Sequence, residues 1–184
     1  MQQYDFLAVW DEDLGCENFQ PALYLDVVRE AQLEISQPAV ALGPTSWPIT
    51  ARIAGSRLHR TSDQKSWGTP CLPEEQGRPP CAAMVEVQAP VFSRQAWACV
   101  WLLLQRDLPH AFGLDLSWHI CAASSNRTAV EGMGIVDATW VDHLGAPSLG
   151  LQGAATGEGD VNARRHEEWQ LWEERWAAAQ ASRV

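Results

Sequence analysis

The chain opens on YDFLAVWDEDLG, where an apolar run from Tyr4 to Trp10 stops at Asp11, Glu12 and Asp13. Short, apolar and aromatic, residues 4–10 read as a buried strand. NFQPALYLDVVREAQ then places Leu23, Val27 and Ala31 at helical spacing, with Pro21 near the start, and predicts a helix. LEISQPAV predicts a short extended piece whose pairing is limited by Pro38. After the loop LGPTSWP, ITARIAGSRLHR predicts a returning strand, and residues 61–80 a polar, Pro- and Gly-rich disordered loop. AAMVEVQAP alternates, with Val85 and Val87 on one face and Glu86 on the other, and predicts another strand. Ser93 suits the N-cap of a helix RQAWACVWLLLQRD, whose Trp97, Val100, Trp101 and Leu104 form one core-facing stripe. A short helix is expected near Asp115, and GMGIVDATWVDHLG reads as a strand that runs into His143. Beyond the Gly-rich GAPSLGLQGAATGEGD, the tail predicts a helix with Trp169, Trp172 and Trp176 along one side. Strands alternating with helices predict an α/β fold: a mixed sheet with helices against it, and no internal repeat.

Composition narrows the function classes. With 184 residues and 46% hydrophobic content, the chain suffices for one domain with a sizeable core. A formal charge of -10 without a basic stripe excludes nucleic acid as a partner and favours a cation. No apolar run is long enough to span a bilayer, and the N-terminus shows no secretory signal pattern. Because the chain begins inside a strand, a fragment of a longer domain is expected. None of the five cysteines forms a C-x-x-C pair, which disfavours structural zinc, and the odd number leaves at least one thiol unpaired within the chain.

Four places carry candidate chemistry. In an extended chain Asp11 and Asp13 point to the same side, and two carboxylates at a strand's C-terminal end suit Mg2+ or Mn2+. The competing reading has Asp13 capping a turn at Gly15 with the other acids solvated. An EF-hand is excluded, because Gly15 and Ala22 stand where a calcium loop needs ligands. His143, at the end of IVDATWVDHLG, is either a further metal ligand or a surface histidine. Asp115 in FGLDLSW is a general base, a sugar-hydroxyl ligand or a helix cap. Arg57, His59 and Arg60 in SRLHR pair with phosphates of a bound cofactor or with the acidic loop, or else form a solvated basic edge.

Taken in order, FLAVWDEDLGCENF, LEISQPAV, EVQAPVFSRQAW, QRDLPHAFGLD and GIVDATWVDHLGAPSLG resemble the plant and algal family DUF707 over residues 4–150. Some of its members carry the label "lysine-ketoglutarate reductase trans-splicing related", a chemistry that nothing in these residues supports. The family is similar to GT-A glycosyltransferases. That resemblance implies Asp11, Asp13 and His143 as ligands of Mn2+ or Mg2+ on a nucleotide-sugar donor, with Asp115 on the acceptor side. It also implies an absent N-terminal half that would grip the nucleotide base. By the same resemblance the protein belongs to the Golgi lumen, where Cys71 and Cys81 pair and close the loop between them; in a reducing compartment they stay as thiols.

The expected organisation is the C-terminal half of a GT-A-like domain over 1–150, a Gly-rich linker over 151–162 and a Trp-rich helix over 163–182. The expected function is metal-dependent glycosyl transfer from a nucleotide-sugar donor to a glycan or small-molecule hydroxyl. Two alternatives stand beside it. One is a non-catalytic metal- or glycan-binding module. The other is an interaction protein that uses the tryptophan helix, if that stripe does not pack back on the chain.

Overall fold

The computed structural model describes residues 3–43, 47–66, 69–75, 81–110, 113–123, 127–145 and 161–182. Its strands are β1 (Phe6–Ala8), β2 (Leu14–Gly15), β3 (Ile35–Val40), β4 (Gln64–Ser66), β5 (Thr69–Pro70), β6 (Val91–Ser93) and β7 (Met133–His143). Its helices are α1 (Pro21–Glu30), α2 (Arg94–Leu103), α3 (His119–Ala122), α4 (Ala129–Gly132) and α5 (Val161–Ala181). Five strands form a mixed sheet in the order β1-β6-β3-β7-β2, while β4 and β5 make a separate antiparallel pair. Among the described strands, only β3 and β7 run parallel. The chain divides into two compact units, Met1–Leu102 with Asp115–Gly145, and Leu103–Leu114 with Ala146–Val184.

In the first unit, α1 buries Tyr24, Val27 and Val28 against Leu33, Val91 and Val136. Each such side chain contributes about 1.5–3 kcal/mol on leaving water. The Tyr24 hydroxyl meets Ser36 Oγ at 2.7 Å, and its burial pushes the phenol far above its ordinary value. Successive residues of β6 face opposite ways. Val91 joins the α1 side, and Phe92 packs on Trp97 and Trp118, with ring centroids at 5.4 and 5.0 Å. A disulfide between Cys99 and Cys121 ties α2 to α3, a second joins Cys71 to Cys81, and Cys16 is a free, exposed thiol.

Several expectations need correction. LEISQPAV does form the expected extended piece, β3, and its pairing with β6 stops at Ser36, but the strand is buried throughout and central in the sheet. Pro38 has no N–H to give, and the β3–β7 register slips just after it, from Pro38↔Val136 to Ala39↔Trp140. The amides of Asp137 and Ala138, displaced by that slip, donate to Arg57 O at 3.0 and 3.2 Å. Residues 49–60 form no strand but touch the sheet by two isolated bridges, Val40↔Ala51 and His59↔Ile135. Residues 82–90 are likewise not a strand, and Ala83 holds a left-handed φ of 138°. Side chains take the amides that a ladder would have used: Thr61 Oγ1 accepts from Met84 N at 2.7 Å and Gln37 Oε1 from Glu86 N at 2.6 Å.

Ser93 does cap α2, accepting from Ala96 N at 3.0 Å. The stripe foreseen on α2 does not face the core as a whole. Ala96 and Val100 are buried, but Trp101 is 57% exposed and Leu104 lies beyond the helix end. The disulfide at Cys99 and the Trp97–Phe92 contact set which side of α2 turns inward. Of the loop over 61–80, the described part contains two 3-10 turns and the β4–β5 pair; residues 67–68 and 76–80 lie outside the described residues.

The second unit contains α5 and the segment Leu103–Leu114, although the latter falls inside the expected 1–150 domain. Residues 151–160 of the expected linker lie outside the described residues. Trp169, Trp172 and Trp176 stack at 5.8 and 5.5 Å, and Trp172 is only 7% exposed. With Leu103, Leu104, Leu108 and Leu114 it lines an apolar recess. Arg175 clamps Asp107 through two bonds at 3.0 and 2.6 Å, and Glu168 accepts from His110 N at 2.9 Å. Gly113, at φ +78°, lies so close to Trp169 that a Cβ there would stand 2.2 Å from the ring. Among the described residues no helix is long and apolar enough to cross a membrane.

Candidate functional site

The β1–β6 pairing continues past its strands, with Val9 N bonded to Pro90 O at 3.0 Å and Asp11 N to Gln88 O at 2.9 Å. The chain then turns through Glu12 and Asp13 and enters β2, which pairs with the end of β7 as Leu14↔His143. Leu144 N donates to Asp13 O at 2.9 Å and closes that pairing. Backbone register therefore brings the acidic turn to His143, about 130 residues away in sequence.

Asp13 is buried, at 8% exposure, and its Oδ2 stands 3.2 Å from His143 Nε2. The other ring nitrogen of His143, Nδ1, is buried without a hydrogen-bond partner. Asp11 and Glu12 are exposed. The Asp11 carboxyl is held above its ordinary value by partial desolvation and by repulsion from Asp13 and Glu12, against the attraction of His143. Turn geometry, rather than strict strand alternation, separates buried Asp13 from its exposed neighbours.

Two further carboxyls belong to this neighbourhood. Glu86 Oε2 accepts from Thr50 Oγ1 and Gln88 Nε2, both at 2.6 Å. Burial pushes Glu86 above the usual carboxylate range, and its charge interacts with those of His143 and Asp11. Asp115, in the 3-10 turn Leu114–Ser117, accepts from Val87 N at 3.3 Å and Leu116 N at 3.0 Å. Burial, with repulsion from Glu86, outweighs those bonds and raises Asp115 to about 6.

The three basic-cluster residues lie elsewhere in the unit. Arg57 is exposed and pairs with Glu30 at 2.9 Å. His59 places Nδ1 2.8 Å from Asp137 Oδ2 and Nε2 3.1 Å from Ile49 O. Both ring nitrogens thus face oxygen atoms of this chain. Arg60 donates to the carbonyls of Val130, Glu131 and Met133. All three are bonded to groups of this chain, and none is among the charges that bear on Asp11, Glu86 or Asp115.

Two carboxylates and an imidazole are donors that Mn2+ or Mg2+ accepts. A cation would relieve the mutual repulsion of Asp11 and Asp13, so these residue types fit one, whereas the buried Nδ1 of His143 lies on the ring edge away from Asp13. Among the described residues, however, no three His, Cys, Asp or Glu side chains are assembled as a metal-holding group. Ligation by all three requires Asp11 to swing toward the Asp13–His143 pair.

Asp11, Asp13, His143 and Asp115 were legible in the sequence as candidates. Glu86 and Gln88 were not, because the alternation of AAMVEVQAP puts Glu86 on a solvent face of a strand that does not form. The only available signal was the second polar residue in MVEVQAP, Gln88, two positions after Glu86.

The fold and this neighbourhood define a mixed α/β protein with an acid-rich site at the end of its sheet. The family profile described as "Protein of unknown function (DUF707)" matches residues 1–182, and the chain belongs to that family. The match includes the tryptophan helix, which the sequence resemblance over 4–150 had left out. No curated protein and no solved structure matches the chain.

Proposed function

We propose that this protein is a metal-dependent glycosyltransferase acting from a nucleotide-sugar donor on a hydroxyl acceptor. The observation that carries the reading is the Asp13–His143 pair, with the Asp11 carboxyl near enough to feel both charges. Asp11, Asp13 and His143 would hold Mn2+ or Mg2+, which supplies charge neutralisation for a departing diphosphate. Asp115 suits the role of base. Raised to about 6, it is a stronger proton acceptor than an ordinary carboxylate yet ionised at neutral pH. In an inverting route it takes the proton of the acceptor hydroxyl as that oxygen bonds to the anomeric carbon. The bond from that carbon to the diphosphate oxygen breaks, and its electron pair leaves with the nucleoside diphosphate. The two disulfides suit an oxidising compartment such as the Golgi lumen.

The test is calorimetric titration of Mn2+ into the wild type and Asp13→Ala, with and without UDP. The expected result is Mn2+ binding that UDP strengthens and Asp13→Ala abolishes. Binding of Mn2+ without coupling to UDP selects the alternative, a non-catalytic metal- or glycan-binding module. A folded wild-type chain that binds no Mn2+ overturns both metal readings. The interaction-protein reading loses its main support, because Trp172 is buried within its own unit.

A further inference from the structure

The segment 49–60 carries one arginine to the end of the sheet's parallel pair. Ala51 bridges Val40, the last residue of β3, and Arg52 N donates to Val40 O at 2.8 Å. On β7, Trp140 stands opposite Ala39. The Arg52 guanidinium lies over the Trp140 indole, with Cζ 3.4 Å from the ring centroid. Its Nε reaches Asp137 O at a long 3.4 Å, and the next amide, Ile53 N, donates to Asp137 Oδ1 at 2.8 Å. Backbone and ring together hold this side chain in place.

Its terminal nitrogens, Nη1 and Nη2, meet no acceptor among the described residues, and neither does the indole N–H of Trp140. Both residues are partly exposed, and none of these three nitrogens is buried without a partner, so solvent reaches them. Other arginines are engaged. Arg57, Arg94 and Arg175 each hold a carboxylate, and Arg60 and Arg127 donate to carbonyls. The chain has 23 acidic residues against 13 basic ones, so carboxylates are not scarce. Yet the acid beside Arg52, fully buried Asp137, turns its carboxylate to Ile53 N and His59 Nδ1. Arg52 is not among the charges that bear on Asp11, Glu86 or Asp115. It also stands apart from the Asp13–His143 pair, because Trp140 and His143, three positions apart on β7, face opposite ways.

We propose that Arg52, seated on Trp140, binds an oxyanion: the phosphate or carboxylate group of a ligand that docks beyond the carboxyl ends of β3 and β7. Open α/β sheets bind ligands at that end of their strands. The positive charge repels a cation. A planar fork with two open nitrogens matches the paired oxygens of a phosphate or carboxylate, and charge strengthens those hydrogen bonds. A neutral hydroxyl ligand gains the hydrogen bonds without the charge. Stacking on the indole fixes the guanidinium plane beforehand, so binding costs less side-chain freedom. The site does not depend on the metal or glycosyltransferase reading.

Proton–nitrogen correlation NMR on the full chain tests the site through the Trp140 indole N–H and the Arg52 Nε–H, assigned by their loss in Trp140→Phe and Arg52→Gln. Inorganic phosphate and sodium acetate are titrated separately, against sodium chloride at matched ionic strength. The wild type is expected to show saturable shifts of both signals with at least one of the two oxyanions and no saturation with chloride. Saturation by phosphate alone identifies a phosphate-bearing ligand, and saturation by acetate alone a carboxylate. Arg52→Lys keeps the charge without the fork and is expected to weaken binding, read at the indole N–H, about tenfold. A folded wild type that saturates with neither oxyanion overturns the site. So does equal saturation by chloride, or binding unchanged in both Arg52 variants; the arginine then only covers the indole. If Arg52→Gln fails to fold, Arg52→Lys decides alone: weakened binding upholds the site and unchanged binding rejects it.

Discussion

Asp115 shows what one side chain contributes when its surroundings oppose its charge. Two backbone amides stabilise its ionised form, but burial and the Glu86 carboxyl raise it from 3.8 to about 6. That lift corresponds to about 3 kcal/mol between its protonated and ionised states. A carboxyl raised in the folded state adds its full stability below the unfolded value, near 3.8, and loses it as pH rises through about 6. Glu86 is shifted the same way, while Asp107, depressed by Arg175, acts oppositely and loses stability as pH falls. The expected outcome is that Asp115→Asn flattens the fall in stability between about pH 4 and pH 7 relative to the wild type. Urea midpoints at both pH values check it, and parallel profiles for the two proteins would refute the assignment. The aspartate itself was readable in FGLDLSW; its raised value was not, because burial and Glu86 come from distant chain.

At the scale of elements, caps and register slips settle what periodicity leaves open. Helix α1 begins at Pro21, where a missing N–H costs nothing, and ends in a turn with Gln32 at φ 53°. Leu33 N bonds to Val28 O at 2.9 Å and Gln32 N to Arg29 O at 3.1 Å, the paired bonds of a Schellman ending. Arg127 adds donors to the carbonyls of Ala31 and Gln32. Glycine is the residue that this left-handed position favours, and the Gln32 side chain is exposed. Gln32→Gly is expected to stabilise the fold by about 0.5–1 kcal/mol, read as a higher urea midpoint at unchanged slope. A loss of stability would mean that the side chain contributes more than the backbone strain costs. Strand β3 teaches the converse. Its extended character and the limit that Pro38 sets on pairing were visible, but its central place in the sheet was not. The sheet accommodates Pro38 by the slip in β7, which also delivers buried Asp137 to His59 and to Ile53 N.

At the scale of the whole molecule, covalent links join elements that short-range patterns cannot connect. Cys99 and Cys121 are 22 residues apart and fasten α2 to α3 behind Phe92 and Trp118. A loop of that length corresponds to about 3 kcal/mol of constraint on the unfolded chain. The double variant Cys99→Ala/Cys121→Ala is expected to lose about that much stability. Thermal or urea unfolding of the oxidised proteins measures it, and unchanged stability would show that the link constrains little. In the second unit, Gly113 and the Arg175–Asp107 and His110–Glu168 pairs seat α5 on Leu103–Leu114. No single-helix pattern predicts that partnership, since the recess it lines draws on residues about 60 positions apart.

What could be read locally, from the sequence by itself, was the α1 and α5 helices, the Ser93 cap, the long strand ending in His143 and the acidic turn. The strand before that turn, expected to be buried over 4–10, covers only Phe6–Ala8 and is half-exposed, because it lies at the sheet's edge. Periodicity, caps and chain breaks act over a few residues, so a sequence carries them directly. Its several stretches in one order also carried the DUF707 membership. Only the tertiary structure decided that Asp13 is buried against His143, that Glu86 and Gln88 join Asp115, and that Arg57, His59 and Arg60 bond to other parts of the same chain. Those outcomes depend on sheet order, on a register slip beside a proline and on a charge's loss of water, each set by residues far apart in sequence.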